Sequence, residues 1–295
     1  MAMRRLVELT LPFFSWLCGI ILLCAVLVVI GYLLVRGWGS LRLSLVFGST
    51  PPLDALLMNR HVLDGLFPAM AGTFFLVILS VCWAIPVGVA AGIYLAEYAG
   101  PAGRAVINLF FDIMAGLPSI VVGLFGFSVA VFLNKKFPGR IQPCLLISSL
   151  SLAVLVLPYL VRATQASLEG LPAAIRMTAL SLGASRLQNI LHVLLPRAFP
   201  SIFSGVILAI GRCAEDTAVI MLTGAVASAG MPRSLLSHYE ALPFYIYYIS
   251  SQYADQQELA TGYGAALLLL LVCLFLFLLA VAVRKRVVWQ AFARI

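Results

Sequence analysis

Six long apolar segments run through this sequence, and they restrict the folds that the chain can adopt. They span approximately residues 11–35, 70–95, 107–133, 143–163, 198–227 and 264–283. A helix needs about 20 mostly apolar residues to cross a bilayer, and each segment reaches that length. The runs are continuous and do not alternate with a period of two, which argues against transmembrane strands. The sequence therefore predicts an all-α integral membrane protein with six transmembrane helices.

The composition indicates that lipid is the main surrounding of the chain. Charged residues make up 10% of the sequence, whereas a typical soluble domain has about 25%. Many of the basic residues behind the net charge of +8 flank apolar segments, so nucleic-acid binding is not expected. The six cysteines form no Cys-x-x-Cys pair and the three histidines are far apart. The sequence thus predicts small buried cysteines, no metal site and no cofactor-binding site.

The basic residues also predict the orientation of the chain. With the N-terminus inside, eleven Lys and Arg residues fall on the cytoplasmic side and seven fall outside. This excess favours a topology with both termini in the cytoplasm. We divide the chain into an N-terminal transmembrane helix with its outer loop (1–64), a transmembrane domain (65–284) and a cytoplasmic tail (285–295).

A charged cluster interrupts the fifth apolar segment. On a helix, Arg212 lies three residues before Glu215 and four before Asp216, so the three side chains share one face. Such a cluster is costly in lipid, so it should face protein, water or a substrate path. Two interpretations stay open. Either Arg212 binds an anion in a pathway, or the cluster is a buried intrahelical pair that fixes helix packing.

The connection between the fourth and fifth segments keeps helical periodicity although it is polar enough to leave the bilayer. Its apolar stripe consists of Leu180, Leu187, Ile190, Leu191 and Leu194. Gly183 breaks the run, and Ala184-Ser185 can start a second helix. The pattern predicts two short helices on the cytoplasmic face. Their polar side lacks lysine, which favours docking into a groove of a protein over lying on the membrane.

This segment, about 166–196, resembles the coupling motif of ABC importer permeases. That motif reads Glu-Ala-Ala, three residues, Gly, nine residues, Ile-x-Leu-Pro, and here Met177-Thr178-Ala179 stands in place of Glu-Ala-Ala. In that family the segment docks into a cleft of the ATPase. The resemblance implies an ATPase-coupling role for Ala179, Gly183, Ala184, Ser185, Arg186, Leu195 and Pro196.

Other stretches narrow the resemblance. The runs Gly92–Ala99 and Gly116–Gly126, together with Leu157-Pro158 and Arg162, are similar to phosphate-uptake permeases. Over about residues 65–225 the chain resembles the A-type permease of phosphate-specific ABC importers. The resemblance implies a type I permease bundle of six transmembrane helices in the bacterial inner membrane.

The same resemblance implies several partners. These are an ABC ATPase dimer on the cytoplasmic face, a second permease subunit, expected to be a homologous C-type chain, and an outer phosphate-binding protein. The chain has no Gly-x-x-x-x-Gly-Lys-Ser/Thr phosphate loop. We therefore expect a transport subunit without enzymatic activity, with MgATP bound by the separate ATPase.

The family pattern around the charged cluster is Arg-Ala-x-Gly-Glu-Thr. Arg212 and Thr217 match it, Asp216 takes the glutamate position, and Glu215 replaces the glycine. The pathway hypothesis assigns substrate contacts to Arg212, Glu215, Asp216 and Thr217, with Arg162 as a second site at the cytoplasmic mouth. Asp112, near the inner end of the third segment, is interpreted as a helix cap.

Three alternatives to phosphate transport remain. The chain could pass another oxyanion, such as molybdate or sulfate, because selectivity in such systems rests largely on the binding protein. It could be a sensory or assembly subunit of a phosphate-uptake complex, which the adjacent acids leave open. A membrane enzyme acting on a lipid or prenyl substrate is disfavoured, since the acids are scattered and no histidine lies near them.

Overall fold

The computed structural model describes residues 2–50, 65–138, 142–232 and 234–292. Within these ranges the chain is helical, with one isolated bridge between Ala225 and Tyr239. The α-helices are α1 (Ala2–Gly37), α2 (Leu43–Phe47), α3 (Phe67–Ile93), α4 (Pro101–Ala115), α5 (Ser119–Lys136), α6 (Leu145–Glu169), α7 (Ala173–Ser181), α8 (Arg186–Asn189), α9 (Leu195–Glu215), α10 (Thr217–Thr223), α11 (Leu242–Gln252) and α12 (Gln256–Phe292).

Six helical stretches of the described residues are long and apolar enough to cross a membrane. They are Leu11–Ser40, Phe67–Tyr98, Ser119–Lys136, Leu145–Glu169, Arg186–Glu215 and Gln256–Arg286. This confirms the predicted all-α membrane fold. The third and fifth predicted segments, however, are each interrupted by a break that the sequence analysis did not anticipate.

The third segment is two helices. We expected one helix over 107–133 with Pro118 inside it, but α4 ends at Ala115 and Pro118 is the N-cap of α5 in extended conformation. Proline disfavours the helical conformation of the residue before it and lacks the N–H that a helix interior requires. The break therefore follows directly from the position of Pro118, after Gly116 and Leu117.

The fifth segment ends at Glu215 and restarts at Thr217, so the prediction of one helix over 198–227 is wrong. At its other end, α8 continues into α9 through a π-helical turn, Ile190–Leu194. Pro196, in the first turn of α9, cannot donate an N–H, and a π turn accommodates this within a continuous helix. The second of the two predicted short coupling helices is thus the start of this transmembrane helix.

Helix α6 is the centre of the bundle. Two thirds (67%) of its most apolar stretch is buried, whereas none of the corresponding stretch of α1 is. Gly88 and Gly92 of α3 bring the two helices together, because a Cβ at these positions would lie 2.7 Å from the Cβ of Leu160 and 2.5 Å from the Cβ of Thr164. The Gly-x-x-x-Gly pair thus permits close helix packing.

Four of the six cysteines are not buried, contrary to the prediction: three are exposed and Cys273 is half-buried. Cys18 and Cys24 lie on α1 and Cys82 lies on α3, and all three are exposed. Their helices have outward faces that the other described residues do not cover, as the exposure of Leu22 and Trp83 shows. In a bilayer such faces meet lipid or another chain.

The end of the bundle opposite α7 and α8 is closed by the loop between α10 and α11. Tyr239 in this loop is fully buried. Carbonyls of the loop accept hydrogen bonds from the first N–H groups of α6, Leu145 to Ser237 at 3.2 Å and Leu146 to Leu235 at 2.8 Å. The loop therefore both caps α6 and fills the space between the helices at this end.

Candidate functional site

The charged cluster lies where the fifth transmembrane helix ends. The Arg212 guanidinium donates a hydrogen bond from Nη1 to Glu215 Oε1 at 2.7 Å, and its Nη2 lies 3.6 Å from Asp216 Oδ2. Arg212 is far from the coupling segment, since it lies about 39 Å along the helix axis from Arg186 at 1.5 Å per residue. The three side chains are brought together as the sequence predicted.

The two carboxylates have different surroundings. The Asp216 side chain is 2% exposed, and its Oδ1 accepts a hydrogen bond from the Val219 N–H at 2.9 Å as the N-cap of α10. The Glu215 side chain is 64% exposed and is the closer partner of Arg212. Asp216 is therefore held in place by the helix that it caps, whereas Glu215 can leave Arg212 without breaking backbone structure. Thr217, the first residue of α10, is half-buried beside them.

Helices α5 and α10 restart at the same depth of the bundle. They pack in parallel: a Cβ on Gly123 would lie 3.0 Å from Val219 Cα, and one on Gly126 would lie 2.8 Å from Thr223 Cγ2. One turn earlier, Ser119 is level with the Asp216 region. The N-terminus of α10 therefore begins in the charged cluster, where the Asp216 carboxylate already caps it, and the N-terminus of α5 lies at the same level.

Arg162 does not belong to this cluster. Its Nη2 donates to Asp112 Oδ1 at 2.5 Å and to the Asn108 carbonyl at 3.1 Å, which joins α6 to α4. Asp112 is near the C-terminal end of α4, so the interpretation as a helix cap is wrong. Ala163 packs against Gly205, seven residues before Arg212. Arg162 thus lies about 10 Å nearer the coupling segment than Arg212 does.

The coupling segment turns at Gly183. The N–H of Ala184 donates to the Ala179 carbonyl and the N–H of Gly183 donates to the Leu180 carbonyl, both at 3.0 Å. This is the Schellman pattern of hydrogen bonds, which requires a left-handed residue after the helix. Gly183 has a φ of +84°, which explains why glycine stands at this position of the motif.

The next helix begins with a capping box. The Ser185 side chain accepts the Gln188 N–H at 3.3 Å, and the Gln188 side chain accepts the Ser185 N–H at 2.8 Å. These reciprocal bonds satisfy N–H groups that the start of a helix leaves unpaired. Ser185 and Arg186 are exposed, whereas Leu195 and Pro196 are half-buried where the helix enters the bundle.

The predicted apolar stripe of this segment divides into two parts. Ile190 and Leu194 are buried against Ala96 and Leu168. The other large apolar side chains, which we call the coupling surface, are exposed: Met177, Leu180, Leu182, Leu187 and Leu191. One part of the stripe therefore packs on the bundle, and the coupling surface is available to a partner.

Sequence reasoning missed a set of ion pairs beside the coupling segment. Arg176 Nη1 contacts Glu97 Oε1 at 2.7 Å, and Arg104 Nη1 contacts Glu169 Oε1 at 3.3 Å. The sequence alone offered only two isolated arginines, Arg104 in α4 and Arg176 in α7. Their partners are on other helices, so no spacing in the sequence could identify the pairs.

Comparison with known proteins places this architecture in a family. Residues 88–289 match the family described as Binding-protein-dependent transport system inner membrane component. The phosphate transport system permease protein PstA of Haemophilus influenzae is 33% identical over 88% of this chain and 86% of its own length. PstA of Yersinia pestis is 31% identical over 76% of this chain and 72% of its own. A probable ABC transporter permease of Bacillus subtilis, YqgI, is 28% identical over 85% and 87%.

Solved structures agree on the fold. A chain of a bacterial ABC transporter involved in the import of alginate is similar over 97% of this chain and 99% of its own, with a TM-score of 0.63 at 15% identity. A chain of the methionine ABC transporter MetNI is similar over 82% and 99%, with a TM-score of 0.52 at 18% identity. The chain belongs to the family of inner membrane components of binding-protein-dependent transport systems and has the fold of their multi-pass ABC importer permeases.

Proposed function

We propose that this permease conducts inorganic phosphate and lines part of the translocation pathway of a phosphate-specific ABC importer. The observation that carries the proposal is the Arg212 cluster, a partly exposed guanidinium between two carboxylates at a break in a membrane-spanning helix. The phosphate permeases of Haemophilus influenzae and Yersinia pestis support phosphate as the substrate.

Arg212 acts as a transient binding group. Its planar guanidinium offers paired N–H donors that match two phosphate oxygens. Without substrate, Glu215 occupies these donors, and its exposed side chain can swing away when the anion arrives. Asp216 cannot move without uncapping α10. The two carboxylates then repel the bound anion, which keeps binding weak enough for release. The Thr217 hydroxyl offers a further donor at the start of α10.

Arg162 is the second site on this path. It lies nearer the coupling segment, and its side chain is 38% exposed although it pairs with Asp112. An anion that leaves Arg212 meets a second arginine that is again opposed by a carboxylate. Two sites that bind the anion weakly then replace one site that binds it tightly. This favours passage of the anion over its retention.

The coupling surface binds the ATPase. Its exposed apolar side chains, Met177 and Leu182 among them, match a groove on an ATPase dimer that carries MgATP. A homologous C-type permease chain completes the pathway, and a phosphate-binding protein delivers substrate to the opposite face. We assign both termini to the cytoplasmic face, which the distribution of basic residues favours and an even number of spans would allow.

The proposal is tested by ATP-dependent uptake of labelled phosphate. The chain is reconstituted in vesicles with its ATPase, binding protein and second permease, and sulfate and molybdate are added as competitors. Saturable phosphate uptake that neither competitor reduces is the expected result. Uptake of sulfate or molybdate in place of phosphate would overturn the substrate assignment. Absence of any oxyanion uptake from an assembled complex that hydrolyses ATP would favour a sensory or assembly role.

A further inference from the structure

Side chains of α7 and α8, the two helices of the coupling segment, bind the C-terminal end of α3. Helix α3 continues into a π-helical turn, Tyr94–Tyr98. The carboxylate of Glu97 in this turn accepts a hydrogen bond from Arg176 of α7 at 2.7 Å. Arg186 of α8 donates to the Glu97 carbonyl at 3.3 Å, and its guanidinium lies 5.6 Å from the centre of the Tyr98 ring.

The Glu97–Arg176 pair is well enclosed. The Glu97 side chain is 12% exposed and the Arg176 side chain is 26% exposed. Arg176 also donates to the Leu168 carbonyl, and its own carbonyl accepts the Asn189 side-chain amide at 2.9 Å. Arg176 therefore forms hydrogen bonds with α6 and α8 as well as the ion pair with the end of α3. Charge-assisted hydrogen bonds in such surroundings are stronger than exposed ion pairs.

An apolar cluster reinforces this junction. The π turn of α3 and the π turn at Ile190–Leu194 pack together, with Ala96 of the first beside Ile190 and Leu194 of the second. Further along, α3 packs in one core cluster with α9, where Ala84 and Cys213 are members. Cys213 directly follows Arg212. Helix α3 therefore links the coupling segment to the surroundings of the charged cluster by a route separate from the chain itself.

We propose that Glu97 is a positioning residue that makes the end of α3 move with the coupling segment, so that ATP-driven movement reaches the pathway through α3. The backbone connects the coupling segment to α6 and α9 only, so α3 can follow it only through side-chain contacts. The Glu97 pair supplies the charged contact between them. This inference rests on the proposed transport function and adds a named route of coupling to it.

The first test measures phosphate transported per ATP hydrolysed in the reconstituted complex. In Glu97→Gln the ion pair is lost, and we expect this ratio to fall about fivefold or more while ATP hydrolysis continues. Glu97→Gln/Arg176→Gln should be no worse than Arg176→Gln alone, because Arg176→Gln already removes the ion pair together with the bond to the Leu168 carbonyl. Additive losses in the double variant, or an unchanged ratio in Glu97→Gln, would overturn the inference.

Glu169→Gln is the matched control. Glu169 accepts bonds from Gln165 within α6 and from Arg104 of α4. Arg104 also donates to the Ala96 carbonyl of the π turn at 3.0 Å through its other terminal nitrogen, and Glu169→Gln leaves that bond in place. Its transport ratio should stay at the wild-type value, and an equal fall would mean that any lost carboxylate here has the same effect. Wild-type complex measured alongside separates the two proposals. No phosphate uptake by the wild type rejects the transport function, whereas normal wild-type uptake with an unaffected Glu97→Gln rejects only the coupling role.

A second test restores the link covalently. In a chain whose native cysteines are replaced by serine, Glu97→Cys/Arg176→Cys is treated with a bifunctional thiol reagent that spans the former ion pair. Bridging should raise the transport ratio back toward the wild-type value, because α3 and α7 again move together. A ratio that stays low, or uptake that stops after bridging, would show that these elements move relative to each other.

Discussion

Arg212 is opposed by one carboxylate that is fixed and one that is free to move. Asp216 is buried and caps α10, whereas Glu215 is exposed and makes the shorter contact. In the proposed pathway, this difference gives Asp216 a structural role and Glu215 a role that depends on the substrate. It leads to different expectations for substitutions at each position.

Changing Arg212 tests the pathway against the packing interpretation. We expect Arg212→Ala to lower phosphate uptake about 10- to 100-fold, the effect of losing a charged hydrogen-bond donor, with normal complex assembly. Arg212→Lys should retain part of the activity, because the charge stays and the planar fork is lost. Labelled uptake and co-purification of the subunits measure both. Normal uptake by assembled Arg212→Ala would reject the pathway role.

Changing Asp216 tests its role as a helix cap. Asp216→Ala should lower the free energy of unfolding by about 1 kcal/mol, whereas Asp216→Asn should not, because asparagine also accepts the N–H bond of an N-cap. Thermal unfolding in detergent compares the two variants with wild type. Equal stability of the alanine and asparagine variants would contradict the capping role.

Glu240 predicts a pH dependence of stability. It lies in the loop that closes the far end of the bundle, where burial raises its pKa although the Gly230 N–H donates to it at 2.7 Å. The folded state then holds the proton more tightly than the unfolded state. Its contribution to stability is greatest below the ordinary glutamate pKa and is lost as pH rises toward the raised value. Glu240→Gln should flatten this slope.

The measurement is the unfolding temperature of the purified protein between about pH 4 and about pH 7. Wild type and Glu240→Gln should converge at the acidic end, where Glu240 is protonated. At the neutral end the variant should lose less stability than wild type does. Parallel curves over the whole range would show that Glu240 is not the titrating group.

At the scale of elements, the breaks and π turns lie at the candidate functional regions. Helix α10 begins within the Arg212 cluster and α5 begins at the same level, and the π turn of α3 packs against the π turn of the coupling segment. Irregular backbone inside a membrane protein must have its polar groups satisfied by protein or water. The cap by Asp216 and the Schellman turn at Gly183 meet this requirement locally.

The turn at Gly183 gives a prediction for this scale. Gly183→Ala should cost about 1–2 kcal/mol, because φ at this residue is positive. The strained coupling segment should bind the ATPase less tightly, which co-purification measures. Gly103→Ala is the control, since Gly103 lies in α4 with open space around it. Equal ATPase binding by the two variants would mean that the turn is not required.

At the scale of the whole molecule, the described residues leave much of their apolar surface uncovered. Helix α1 has no buried residue in its most apolar stretch, whereas two thirds of the corresponding stretch of α6 is buried. A bilayer supplies the surroundings for such a surface, and so does a second permease chain.

The orientation can be tested by labelling. In a chain without native cysteines, Leu182→Cys and Tyr253→Cys place single thiols on opposite faces, at residues that are 85% and 45% exposed. A membrane-impermeant maleimide added to intact cells should label position 253 and not 182. Labelling of 182 in intact cells would reverse the assignment of the termini.

The sequence by itself determined the six spans and the coupling turn. Long apolar runs become helices in lipid because each helix satisfies its own backbone hydrogen bonds. Gly183 and Ser185 act through bonds to residues a few positions away. The spacing of Arg212, Glu215 and Asp216 likewise predicted their proximity. The breaks at Pro118 and Asp216 were missed because continuous hydrophobicity was given more weight than local backbone chemistry.

Only the tertiary structure decided which groups meet across helices. Arg176 and Glu97 are 79 positions apart, and Arg162 and Asp112 are 50 apart, so no periodicity in the sequence relates them. It also decided that Ile190 packs inside while Leu187 stays exposed. Burial and ion pairing depend on how neighbouring helices approach, and that approach is set by packing at small residues such as Gly88 and Gly92.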